Sequence, residues 1–134
     1  MDALYPRLLV RDFHATVEFY RGVLDELFGV QPVKVIAEAS YANWDLERQA
    51  GLVIFGRSMI AGTVGTDSLP AEAPAQDKAM LVFKVADVDA ATKSFEKFGA
   101  TLVTGPQDRP QWGPNLRTAH LRDPEGTLLE LQSY

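Results

Sequence analysis

Apolar positions along this 134-residue chain fall with two periods, and the periods alternate in a repeated order. Leu4 to Val10 (LYPRLLV) is apolar and branched enough to predict a strand. Asp12 then fits a helix N-cap. Behind it, FHATVEFYRGVLDELFG carries Val17, Tyr20, Leu24 and Leu27 at helical spacing, and Gly29 closes the helix. VKVIAEASYANWDLE and GLVIFGR predict two or three more strands, with Gly51 at a turn. AGTVGTDSLPAEAPAQD has no period and is rich in Ala, Pro, Gly and Thr, the signature of a linker. The order then restarts. MLVFKV, from Met80, predicts a strand, Asp87 a second N-cap, and DAATKSFEKF a shorter helix ended by Gly99. TLV, LRTAHLR and TLLELQ follow as strands, the last two joined by a DPEG turn in which Pro fixes φ and Gly accepts positive φ.

The restart has residue-level support. Val10 and Asp12 return as Val85 and Asp87, Ala15 and Tyr20 as Ala90 and Phe95, and Gly51 as Gly126, all 75 positions on. Two copies of one strand-and-helix unit predict an α+β fold: two βαβββ modules forming paired curved sheets around a cleft. The expected organisation is a single domain over 1–134, with module one at about 1–60, a linker at about 61–77 and module two at about 78–134. A helix covers only one face of its sheet, so the other face must be buried elsewhere or bind something.

Composition narrows the partners. A net charge of −5 and a pI near 4.9, with no run of Lys or Arg, argue against nucleic acid. Charged residues interrupt every apolar run well short of a membrane span, so no membrane partner is expected. The N-terminal MDALYPRLLVRDF lacks the basic segment and apolar core of a secretion signal. The absence of cysteine excludes disulfides, thiolate metal sites and a Cys nucleophile, and the expected location is the cytoplasm.

LLVRDFHATVEFYRGVLD near the start, VFKVADVDAATKSFEKFGA in the middle and WGPNLRTAHLRDPEGTLLELQ near the end resemble the vicinal oxygen chelate superfamily. That superfamily includes glyoxalase I, extradiol dioxygenases, fosfomycin resistance enzymes and bleomycin resistance proteins. The resemblance implies the glyoxalase/bleomycin resistance fold and a homodimer. It also implies metal ligands, in metal-dependent members, on the first and fourth strand of each module. Carried over by position, those slots hold Tyr5, Phe55, Met80 and Glu130. Phe55 cannot coordinate, Met80 is a soft thioether, and Tyr5 ligates only as a phenolate. Glu130 is the single ordinary ligand, so the expected cofactor is none, or a divalent metal at Glu130 if the alternative holds.

If Glu130 faces the cleft, strand alternation sends Leu128, Gln132, Thr118, His120 and Arg122 to the same side. Tyr5, Arg7 and Leu9, and Met80, Val82 and Lys84, face inward on the two first strands. Trp112, in the PQDRPQWGPN loop, is either a flap or a hydrophobic plug, and Trp44 reads as core or interface packing. The candidate ligand-binding residues are Tyr5, Arg7, Phe55, Met80, Val82, Lys84, Trp112 and Gln132. The candidate catalytic residues are Glu130 and His120. Glu130 is a ligand or general base on one reading, and on the other a carboxylate neutralised by Arg7, Lys84 or His120. Three functions follow: metal-independent binding of a small organic molecule, as in bleomycin resistance proteins; a divalent-metal lyase or dioxygenase of the glyoxalase type; and a metal-free acid–base isomerase or epimerase.

Overall fold

A computed structural model describes residues 4–72 and 75–134. Residues 1–3, at the head of module one, and 73–74, inside the expected linker, lie outside the described residues. The chain divides into two compact units, Met1–Ala75 and Gln76–Tyr134. Among the described residues no helix is long and apolar enough to cross a membrane.

Unit one starts with β1 (Arg7–Val10) and α1 (Phe13–Phe28). Pro6 has no N–H to donate, so β1 starts one residue later. The Pro6 carbonyl still accepts from Val53 at 3.1 Å. Asp12 caps α1, its Oδ1 accepting from the Ala15 N–H at 3.0 Å, and Gly29 ends it at φ 64°. The apolar stripe buries Val17, Phe19, Tyr20, Val23 and Leu24, and the helix packs on the sheet at β4. The remaining strands are β2 (Lys34–Ile36), β3 (Tyr41–Leu46) and β4 (Gln49–Gly56), in the order β1-β4-β3-β2 with β1 parallel to β4. Val10, Ala42, Trp44, Leu52 and Ile54 are buried on the helix side.

Two expectations for unit one are corrected. Gly51 does not sit at the turn. The β3–β4 hairpin turns on Glu47 and Arg48, at φ 52° and 68°, and Gly51 lies inside β4. A Cβ on Gly51 would collide with the Leu46 side chain, whose close approach the glycine permits. Part of the expected linker is helical. Arg57, read as the end of a strand, opens α2 (Arg57–Val64), which ends on Gly65 at φ 76°. α2 has no side-chain cap, contains Gly62 and several β-branched residues, and buries none of its side chains, so its pattern carries little helical signal.

Unit two follows the same order: β5 (Met80–Lys84), α3 (Val88–Phe98), β6 (Thr101–Asp108), β7 (Arg117–Arg122) and β8 (Leu128–Ser133). The sheet order is β5-β8-β7-β6, with β5 parallel to β8. Asp87 caps α3 as Asp12 caps α1, accepting from the Ala90 N–H at 3.0 Å. Phe95 packs edge-on against Phe83 at 5.4 Å, and Leu121, Leu129 and Leu131 are fully buried. Asp123 holds the DPEG turn, its Oδ1 accepting from the N–H groups of Glu125 and Thr127. Replacing Asp87 with Ala removes one satisfied helix N–H, with an expected loss of about 1 kcal/mol in urea denaturation. No change in the midpoint would mean that the cap contributes nothing.

Ion pairs tie the outer edges of unit two. Arg117 reaches Asp89 through Nε and Nη2 at 2.8 and 3.0 Å, and Asp108 through Nη1 at 3.0 Å. Arg122 clasps both oxygens of Asp77. Hydrogen bonds from Arg117 hold the Asp89 carboxyl below its ordinary value of 3.8. Hydrogen bonds from Arg122 do the same for Asp77. A carboxyl depressed in the folded state stabilises the protein above its unfolded value and loses that contribution as pH falls through the folded value. The stability gap between the wild type and Asp89→Asn is therefore expected to be constant near neutrality and to close in acid below 3.8. Urea midpoints measured across that range check this, and a gap unchanged in acid would refute it.

Candidate functional site

Each sheet has one face covered by its helix and one face that carries the chemistry. In unit two, strand pairing places Val82, Glu130, His120 and Thr104 in one row across β5, β8, β7 and β6. Lys84, Gln132, Thr118 and Gln107 form the next row, and Met80, Leu128, Arg122 and Thr101 the row before. His120 Nε2 and Glu130 Oε1 share a hydrogen bond of 2.9 Å, with the side chains only 15% and 10% exposed. Glu130 sits over the middle of its sheet because Leu129 and Leu131 on either side take the helix face.

The loop after β6 supplies a wall. Arg109 N–H donates to the Leu116 carbonyl and Trp112 N–H to the Arg109 carbonyl, with Asn115 at φ 58° closing the loop. Trp112 is 55% exposed and sets its ring edge-on to His120, with centroids 6.3 Å apart. Arg109 lies over the Trp112 ring at 4.6 Å and donates from Nε to Thr118 Oγ1 at 3.2 Å. Trp112 is thus a ledge against His120 rather than a plug beneath its own loop.

In unit one the corresponding face holds Arg7, Val53, Asn43 and Lys34 in one row and Leu9, Phe55, Tyr41 and Ile36 in the next. Arg7 lies over Phe55 at 5.6 Å and over Tyr41 at 6.0 Å. Phe55 and Tyr41 themselves meet edge-to-face. Tyr5 precedes β1 and accepts a long hydrogen bond of 3.4 Å from Arg7 Nη2. Lys84, in unit two, stands 4.0 Å over the Tyr134 ring. Of the three partners considered for Glu130, His120 is bonded to it.

Pairing also moves one slot. Val82 opposes Glu130 on the neighbouring strand, and Arg7, the repeat partner of Val82, opposes Val53. The first-unit equivalent of Glu130 is therefore Val53, two residues before Phe55. The displacement follows from counting strand positions from Gly51, which lies within β4 rather than at its turn. Tyr41, Asn43 and Arg109 were missed as face residues. Alternation along YANWDL held the signal for the first two, and nothing in RPQWG marked Arg109.

The sequence model of the Glyoxalase/Bleomycin resistance protein/Dioxygenase superfamily matches residues 4–131. The chain belongs to that superfamily. It is 35% identical over 131 residues to the uncharacterized protein YraH of Bacillus subtilis (strain 168), covering 98% of this chain and 97% of YraH. Superfamily folds superpose closely. A glyoxalase/bleomycin resistance protein/dioxygenase family enzyme from Burkholderia phytofirmans PsJN matches with a TM-score of 0.75 at 21% identity, over 99% of this chain and 98% of that one. A glyoxalase-related enzyme from Fulvimarina pelagi gives 0.75 at 18% identity, over 100% and 88%. Lactoylglutathione lyase from Agrobacterium tumefaciens gives 0.66 at 21%, over 97% and 91%. At these identities the structural matches establish the fold alone.

Superfamily membership raises the question of a divalent metal, and the donors can be compared with what one needs. An open catalytic site takes about three protein ligands from His, carboxylate or Cys. Around Glu130 the row supplies one further donor, His120, and then Val82 and Thr104. Met80 opposes Leu128 rather than Glu130, and the first-unit slot holds Val53 or Phe55. Among the described residues no three of His, Asp and Glu stand close enough to share an ion. This donor set does not fit the metal.

Proposed function

We propose that this superfamily member is a metal-independent small-molecule binding protein that holds a planar organic ligand on an aromatic-lined sheet face. The observation that carries the reading is the 2.9 Å pairing of His120 with Glu130. A buried carboxylate without a partner is costly, and here a neighbouring side chain meets that cost. Each sheet face offers a ligand contact surface of its own: Trp112, Met80 and Val82 in unit two, and Phe55, Tyr5 and Tyr41 in unit one. Arg7 and Lys84, with Gln132 as a hydrogen-bonding neighbour, favour an anionic or zwitterionic ligand over a cationic one. A cytoplasmic homodimer is the assembly we propose for it, by resemblance to its superfamily.

The test is a titration of Trp fluorescence with a panel of planar aromatic carboxylates, with metal content measured on the same protein. Saturable quenching unaffected by a chelator is expected. Phe55→Ala should weaken binding about tenfold, the effect of losing one aromatic anchor worth near 1.4 kcal/mol. A stoichiometric ion whose removal abolishes binding would overturn the reading.

A second reading rests on the same pair. A carboxylate hydrogen-bonded to an imidazole beside an accessible indole is also the geometry of a metal-free general base. Turnover with a bell-shaped pH profile, lost in Glu130→Gln, would select an isomerase or epimerase instead.

A further inference from the structure

A cavity lies within unit one, lined by none of the residues assigned above to the open sheet face. It measures about 460 Å³, within the size range of small-ligand pockets. It opens where the parallel strands β1 and β4 both end and where α1 and α2 both begin. Val10, Phe13, Leu69 and Pro70 give it apolar walls, and Arg11 and Arg57 give it charge.

The two arginines are placed differently. Arg57 is locked: Nη1 donates to the Ala71 carbonyl at 2.6 Å, and Nε and Nη2 donate to the Leu9 carbonyl at 3.3 and 3.2 Å. These bonds fix the guanidinium plane in the cavity wall and bind the 66–72 segment to the end of β1. Arg11 pairs with Glu72 at 3.1 Å, both side chains more than half exposed. An exposed pair of this kind contributes little and exchanges easily. The chain's own carboxylate therefore sits where an incoming carboxylate would bind.

We propose that this cavity binds a small amphiphilic monocarboxylate, which displaces Glu72 from Arg11 and lays its apolar body against Phe13, Leu69 and Pro70. Charge limits the ligand to one negative group. The lining holds two guanidinium groups, Arg11 and Arg57, and one carboxylate, Asp67, so displacing Glu72 leaves it a net single positive charge to match. The uncapped first turn of α2, whose Gly56 offers no side chain, places further N–H groups at the same end. The site is independent of the sheet-face reading above and stands or falls separately from it.

The probe is octanoate, added to the ¹⁵N-labelled full chain, with octan-1-ol as the uncharged control. Saturable amide shifts at Ser58, Thr66 and Leu69 are expected with octanoate, and much weaker ones with octan-1-ol. Arg11→Gln, an exposed substitution that preserves the fold, should weaken octanoate about five-fold, and Glu72→Gln should tighten it by a similar factor, the scale of one exposed charge contact. Ala61→Leu should exclude the probe by filling the cavity. Shifts confined to unit two, equal binding of the alcohol, or octanoate affinity unchanged in both charge variants would overturn the proposal.

Discussion

Replacing Trp44 with Ala is expected to lower the unfolding free energy by about 3–5 kcal/mol, the range for deleting a buried aromatic side chain. Trp44 is 0% exposed and the bulkiest of the fully buried side chains. It lies opposite Leu52 on β4 and shares the helix-covered face with Ala42 and Ile54. Little can collapse into the space it would leave, because β3 is held on both sides by β2 and β4. A loss of that size is a large part of the roughly 5–15 kcal/mol that a domain commands. It should appear in urea as a lower midpoint with an unchanged slope. Trp44→Phe keeps most of the packing and removes an indole N–H that finds no acceptor among the described residues, so it should cost clearly less. Equal losses for the two variants would show that ring volume is not what Trp44 contributes.

The parts of the fold legible in the sequence are those governed by local rules. Asp12 and Asp87 announce their helices because a cap is one side chain and the N–H three residues on. The DPEG turn is equally local, with Asp123 accepting from its own loop. Alternation along LRTAHLR and TLLELQ sends Ala119, Leu121, Leu129 and Leu131 inward, and every one of them is fully buried. Glu47 and Arg48 escape such reading because neither residue type advertises positive φ. α2 escapes because it is short, uncapped and without a buried face, so no apolar stripe betrays it.

One slot of the candidate site, read by repeat arithmetic, lies two residues away from its register position in unit one. Repeat arithmetic assumes that insertions are absent between compared points. The 75-residue offset holds for the caps and first strands, Asp12 to Asp87 and Arg7 to Val82. It fails at the fourth strand, where hydrogen-bond register matches Val53, not Phe55, to the position of Glu130. The partner of Glu130 was undecidable from sequence for a related reason. Arg7, Lys84 and His120 all alternate to the proper side, and only register puts His120 directly across from the carboxylate. Lys84 stands over the Tyr134 ring and Arg7 over Phe55.

That pairing predicts strong coupling. His120→Ala strips a nine-tenths-buried carboxylate of its bonded neighbour, and Glu130→Ala strands a largely buried imidazole, so each alone should cost about 2–3 kcal/mol. Removing both leaves no orphaned polar group, so the double variant should cost no more than either single one. The cycle then returns a coupling of about 2 kcal/mol, well above the few tenths expected of independent sites. Urea denaturation of the four proteins at neutral pH measures it. Additive losses would mean that the 2.9 Å contact contributes nothing in solution. Glu130 would then be a carboxylate held in reserve for a ligand, the metal-binding reading would regain its one good donor, and the binding-protein reading would lose the observation it stands on.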